Sequence, residues 1–136
     1  MNPSLRIEEM SPAFTKIHID GLPFAMVAHR FTGPDHGPFH DHPYPFQSHI
    51  LWGGYEEEIL DVRTGDVTRV ERHPGTSHRV EASHVHRITR LLDGECWTSI
   101  VLPFGLPALR TGFFEWRENG LWHRFWDEPE FRRVAS

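Results

Sequence analysis

Three histidines fall within ten residues of the stretch Gly37-Pro38-Phe39-His40-Asp41-His42-Pro43-Tyr44-Pro45-Phe46-Gln47-Ser48-His49. A second segment, Ser83-His84-Val85-His86-Arg87-Ile88, repeats the spacing of two histidines at i and i+2. In an extended chain, residues two apart face the same side. His40 and His42 are therefore expected to point together. Neutral imidazole is the commonest protein ligand for divalent transition metals. Two such pairs meeting across β-structure would make one metal site, and Pro38, Pro43 and Pro45 would hold the first pair in place.

Other residues compete for a place in that site. Gln47, His49 and Leu51 share one strand face, so Gln47 or His49 could complete the ligand set or touch substrate. His86 is the ligand expected from the second segment. His84 shares its face only if the strand has begun by then, and is expected to lie in the preceding loop, outside the site. Arg90 has the strand parity of His86 and Ile88. Facing inward it could clamp a substrate carboxylate in a bidentate pair, which makes it a candidate catalytic group beside Gln47 and His49. The competing expectation is an arginine at the rim, paired with Glu95 or Glu58. The run Glu56-Glu57-Glu58 reads as a strand with a solvated face. Trp52, Tyr55, Trp97, Phe113 and Trp116 are expected to be core rather than pocket wall, and Cys96 a buried, inert thiol. His18, His29, His36, His73, His78 and His123 are expected to be structural or solvent-facing. No Ser-His-Asp order, phosphate-binding loop or Gly-x-Gly-x-x-Gly is present.

Composition bounds the answer. The 136 residues are expected to form one domain, with a core over about 14–126 and polar ends at 1–13 and 127–136. A net charge of −5 argues against nucleic acid as a partner. The single cysteine excludes an internal disulfide. The first ten residues lack the apolar stretch of a signal peptide, and no apolar run approaches the ~20 residues of a spanning helix. These features imply a cytoplasmic protein without a membrane partner. Eleven histidines are the informative excess, while Lys16 stands alone beside thirteen arginines.

The elements that must position these residues are read as strands. Apolar residues alternate or run short, and Gly, Pro and Asp punctuate the chain about every ten residues, as in an all-β sandwich or barrel. Strands are expected over Phe14–Ile19, Phe24–Phe31, Gln47–Trp52, Tyr55–Val62, Val67–Arg72, His78–Ala82, Ile88–Leu92 and Cys96–Leu102. Residues 103–107 interrupt. Gly112–Trp116 and Leu121–Trp126 form a last hairpin over the strong turn signal Asn119-Gly120. The opening residues suggest an arm or edge strand, and the tail from Asp127 is expected to fray.

Over about residues 24–102 the chain resembles a small cupin. His40-Asp41-His42 matches the His-x-His of the first cupin motif, with Gly33 upstream, Gln47 in the glutamate position and Gly53 or Gly54 as the closing glycine. Glu81-Ala82-Ser83-His84-Val85-His86 is similar to the second motif without its Pro and Gly, and places His86 as the ligand. The Pro-Gly pair stands earlier, at Pro74-Gly75. The chain also resembles a subgroup of short cupin-like proteins that share a His-Pro-aromatic-Pro-Phe stretch, a Gly-Gly-Tyr after the strand and a His-Arg-Ile/Val step. The resemblance implies a double-stranded β-helix (jelly-roll) barrel. It implies a divalent transition metal held by His40, His42, His86 and Gln47 or His49. Fe(II) is favoured, and Zn, Ni or Mn are alternatives. The implied activity is dioxygenase-type chemistry on a small organic molecule. Isomerase or lyase chemistry, non-catalytic ligand binding, and metal-free epimerisation are the other readings. A homodimer through edge strands is implied by the same analogy.

Overall fold

The computed structural model describes residues 2–102 and 107–135. Thirteen strands are present among them: β1 (Ser4–Ser11), β2 (Phe14–Asp20), β3 (Ala25–Phe31), β4 (Phe39–His40), β5 (Phe46–Trp52), β6 (Tyr55–Leu60), β7 (Val67–Arg72), β8 (Ser77–Val80), β9 (His86–Leu91), β10 (Cys96–Leu102), β11 (Gly112–Arg117), β12 (Gly120–Phe125) and β13 (Arg132–Arg133). They form two antiparallel sheets, with strand orders β1-β2-β3-β10-β5-β8 and β13-β12-β11-β4-β9-β6-β7. Among the described residues no strand pairing joins the two sheets, so the jelly roll is an open sandwich rather than a closed barrel. Among the described residues, no helix is long and apolar enough to cross a membrane. The interruption expected at 103–107 lies largely outside the described residues.

Alternation decides which side chains enter the space between the sheets. Along β10, Cys96, Thr98, Ile100 and Leu102 are all buried. On β5 the buried residues are Ser48 and Ile50, and Phe46 packs against the cluster of Val27, Ile100 and Leu102. A second cluster joins Phe31, Ile50, Tyr55, Ile88 and Cys96 across both sheets. Burial on this scale is the main favourable term for a chain of this size.

Gly53-Gly54 carries the chain from β5 in one sheet to β6 in the other. Both glycines have positive φ, +81° and +86°. A Cβ on Gly53 would lie 1.9 Å from the Glu95 carbonyl oxygen, so only glycine fits. The tail differs from expectation. Instead of fraying, β13 pairs with β12 through Trp122 and His123, and Val134 N–H donates to Leu121 O at 2.8 Å. The opening residues form β1, an edge strand paired with β2 and exposed along its whole length.

Candidate metal centre

Four imidazoles and one carboxylate converge on the inner side of the β4-β9-β6 segment. His40 on β4 stands directly opposite His86 on β9, with ring centroids 4.8 Å apart. His42 follows two residues later, 4.8 Å from His86 and 6.0 Å from His84. His84 lies 4.7 Å from His86. Glu57 enters from β6, and its side chain is 0% exposed. His84 Nε2–H donates to Glu57 Oε1 at 2.8 Å, and His86 Nδ1–H donates to the same oxygen at 3.4 Å. On the other side Arg72 Nε–H, from β7, donates to Glu57 Oε2 at 3.3 Å.

The loops that deliver these groups are anchored by backbone bonds. Asp35 N–H donates to Ile88 O at 2.8 Å, and Asp35 Oδ2 accepts Ile88 N–H at 2.7 Å. This clamps the segment before β4 onto β9. Asp41 turns away from the site, as its strand parity requires, and its Oδ1 accepts Gly112 N–H at 2.7 Å. His42 N–H donates to Ala82 O at 3.1 Å, tying the first histidine pair to the loop that carries the second. Two chain segments some forty residues apart are thus held in one fixed geometry.

The electrostatics suit a cation. Burial, and then the charge of His86, lowers the His40 pKa to about 4. Burial lowers His42 further, to about 2, with His86 and His40 adding to the effect. Both are therefore neutral at neutral pH, as a metal ligand must be. Burial alone would raise the Glu57 pKa. The hydrogen bonds from His84 and His86 and the charges of His86 and Arg72 outweigh it and hold the group well below the ordinary carboxylate range.

The donor set fits a divalent transition metal. Glu57, His84 and His86 each offer a ligand atom, all within 4.8 Å of one another. Tetrahedral bonds of about 2.1 Å place neighbouring ligand atoms about 3.4 Å apart, and Glu57 Oε1 lies 2.8 Å from His84 Nε2 and 3.4 Å from His86 Nδ1. His42 Nε2 is buried without a hydrogen-bond partner, which is costly unless something binds it. A mixed imidazole and carboxylate set suits Fe, Mn, Ni or Zn.

Of the residues singled out in the sequence, the structure brings His40, His42 and His86 together. It does not bring Gln47, His49 or Arg90 to them. On β5 the inward parity belongs to Phe46, Ser48 and Ile50, which turns Gln47 and His49 to the outer face. Gln47 lies beside exposed Arg79, and His49 Nδ1 is hydrogen-bonded to the Ser77 hydroxyl at 2.6 Å. Arg90 is diverted by a β-bulge. Glu56 pairs with Arg90 but Glu57 pairs with Ile88, leaving Thr89 as the extra residue on β9. The bulge reverses the strand's parity, so Leu91 packs inward while Arg90, 54% exposed, pairs with Glu56 at 3.2 Å and Glu71 at 3.3 Å. The rim expectation was right in kind, with different acids.

Two members of the cluster depart from the sequence reading. The glutamate run predicts a solvated face for Glu57, yet Tyr55-x-Glu57 is a parity signal, since Tyr55 is an inward core residue. His84 does precede β9, as expected of a loop residue, but its ring still joins the site.

The two face-to-face antiparallel sheets have the jelly-roll architecture of the cupin fold. No protein-family model matches the chain, and no curated protein matches its sequence. Solved structures do match in fold. Hydroxypropylphosphonic acid epoxidase from S. wedmorenis superposes with a TM-score of 0.56 at 12% identity, over 71% of this chain and 54% of that one. Fe(II) HppE gives 0.52 at 12% identity, over 71% and 55%. Lactobacillus farciminis oxalate decarboxylase, in a formate complex, gives 0.53 at 19% identity, over 75% and 30%. The chain thus spans about half the length of the first two and under a third of the third. At these identities the likeness carries the fold alone.

Proposed function

We propose that this protein is a metal-dependent cupin enzyme acting on a small organic molecule. The observation that carries the reading is Glu57, fully buried and aimed through Oε1 at His84 and His86, with the orphaned His42 Nε2 beside them. In this reading Glu57, His84 and His86, whose ligand atoms lie within 4.8 Å of one another, hold a divalent metal, with His40 and His42 as further ligands. Arg72 fixes the second carboxylate oxygen, so that Oε1 keeps its direction. The low pKa values of His40 and His42 keep their lone pairs available at neutral pH.

A bound metal would supply Lewis acidity toward a substrate oxygen and, as Fe(II), one-electron chemistry with O2. Fe(II) and a dioxygenase-type oxidation are the favoured assignment, supported by the shared fold of Fe(II) HppE. Isomerase or lyase chemistry with Zn, Ni or Mn is the second reading, supported by the equally similar fold of oxalate decarboxylase. Gln47, His49 and Arg90 have no place at the centre in either.

The test is elemental analysis of untagged protein after reconstitution with Fe, Zn, Ni and Mn in turn, followed by oxygen uptake against thiols, diketones and phenols. About one metal per chain and substrate-dependent uptake with Fe(II) is the expected result. Full loading without uptake moves the assignment to isomerase or lyase chemistry, and failure to retain any of the four metals overturns the metal reading.

A further inference from the structure

His78 is the second residue of β8 and stands opposite Ser48 of β5, on the inner face of the sheet that lies across from the metal ligands. Both of its ring nitrogens are buried and neither has a hydrogen-bond partner. Arg72, Glu57, His84 and His86 are all within electrostatic reach of its ring. The next inward residue of the strand, Val80, is ordinary core. A core position that served packing alone would hold an apolar side chain here, because two unpaired ring nitrogens are expensive to bury.

We propose that His78 binds the small molecule taken up at the metal centre, and that this molecule carries a carboxylate. This inference rests on the metal reading above. Neutral imidazole offers one N–H donor and one lone pair, so it can donate to a ligand oxygen. Arg72 reaches Glu57 through Nε, which leaves the two terminal amino groups of its fork outside that bond. A divalent cation at the centre and Arg72 together would exceed the negative charges of Glu57 and Asp35, so the surroundings of His78 favour an anion. A carboxylate would give the His78 N–H an acceptor and balance that charge, whereas a neutral amide would do only the first.

The test uses full-length protein loaded with Co(II) and titrated with malonate, followed by the cobalt visible spectrum, with malonamide as the neutral control. Wild type is expected to bind malonate saturably and to ignore malonamide. His78→Leu is expected to keep its cobalt and to bind malonate about tenfold or more weakly, and His78→Gln to recover part of the loss. Metal-free His78→Leu should melt no lower than wild type, since it removes two unpaired buried nitrogens. Equal malonate affinity in wild type and His78→Leu overturns the inference. So does a His78→Leu variant that loses cobalt and melts well below wild type, because the residue is then structural. Cobalt uptake without any malonate response overturns this inference alone, whereas no cobalt uptake in wild type overturns the metal reading and this one together.

Discussion

Replacing Glu57 should separate the site from the surface charges around it. Its carboxylate is fully buried and accepts N–H groups from His84, His86 and Arg72 at 2.8, 3.4 and 3.3 Å. Removing one partner of a buried charged pair costs about 3–5 kcal/mol, because the remaining charge is left without compensation. Glu57→Ala should fall in that range for metal-free protein. Glu57→Gln keeps the shape but not the chemistry. An amide has one acceptor and one donor end, so its NH2 faces either Arg72, which can only donate, or the two histidines, which can accept it only by changing tautomer. An unsatisfied buried group costs about 1–3 kcal/mol. Metal adds a second readout. At zinc concentrations of about 100 times Kd, wild type should gain about 2.7 kcal/mol in urea unfolding. That gain should nearly vanish in Glu57→Gln. Glu56→Gln is the control: one residue away, its partner Arg90 lies at the solvent-exposed rim, and both readouts should stay near wild type. If Glu57→Gln loads metal stoichiometrically and keeps the full zinc-dependent gain, Glu57 is no ligand and the centre as drawn is wrong.

Arg90→Ala, Gln47→Ala and His49→Ala should each leave metal content unchanged by elemental analysis, while His40→Ala and His42→Ala should lower it. In metal-free protein, acid should unfold the chain through its buried histidines. An unfolded histidine titrates near 6.5, but His40 does so at about 4 and His42 at about 2 in the fold. Between these values the unfolded chain binds more protons, so stability is lost as pH falls from about 6.5 toward 4, by up to ~1.4 kcal/mol per pH unit for each histidine. Denaturant midpoints measured across that window check the sign, and a midpoint that rises with acid contradicts it. Gly53→Ala should cost more than about 2 kcal/mol by urea unfolding, since it combines a positive φ with a blocked Cβ position.

The side chains that carry the argument were partly legible in the linear chain. The i, i+2 spacing of His40 and His42, and of His84 and His86, states a local geometry that any extended backbone enforces. Punctuation by glycine, proline and aspartate marked most strands for the same reason, because turn chemistry is local. His40, His42 and His86 could therefore be named as one group before any fold was known. Their meeting required β4 to lie against β9, and that pairing is a long-range contact which no window of sequence contains.

Parity is where local reading failed, because it propagates only until the strand breaks step. From His86 and Ile88 the count runs on to Arg90. A single extra residue at Thr89 reverses it and sends the arginine to the rim. On β5, the choice between the Gln47 and Ser48 faces depended on which side the opposing sheet would cover. Glu57 looks like its neighbours Glu56 and Glu58 in the chain, and its burial exists only because Arg72, His84 and His86 arrive from two other segments to compensate its charge. A carboxylate enters a β-sandwich interior when partners are waiting for it, and those partners are supplied by the packing of distant strands.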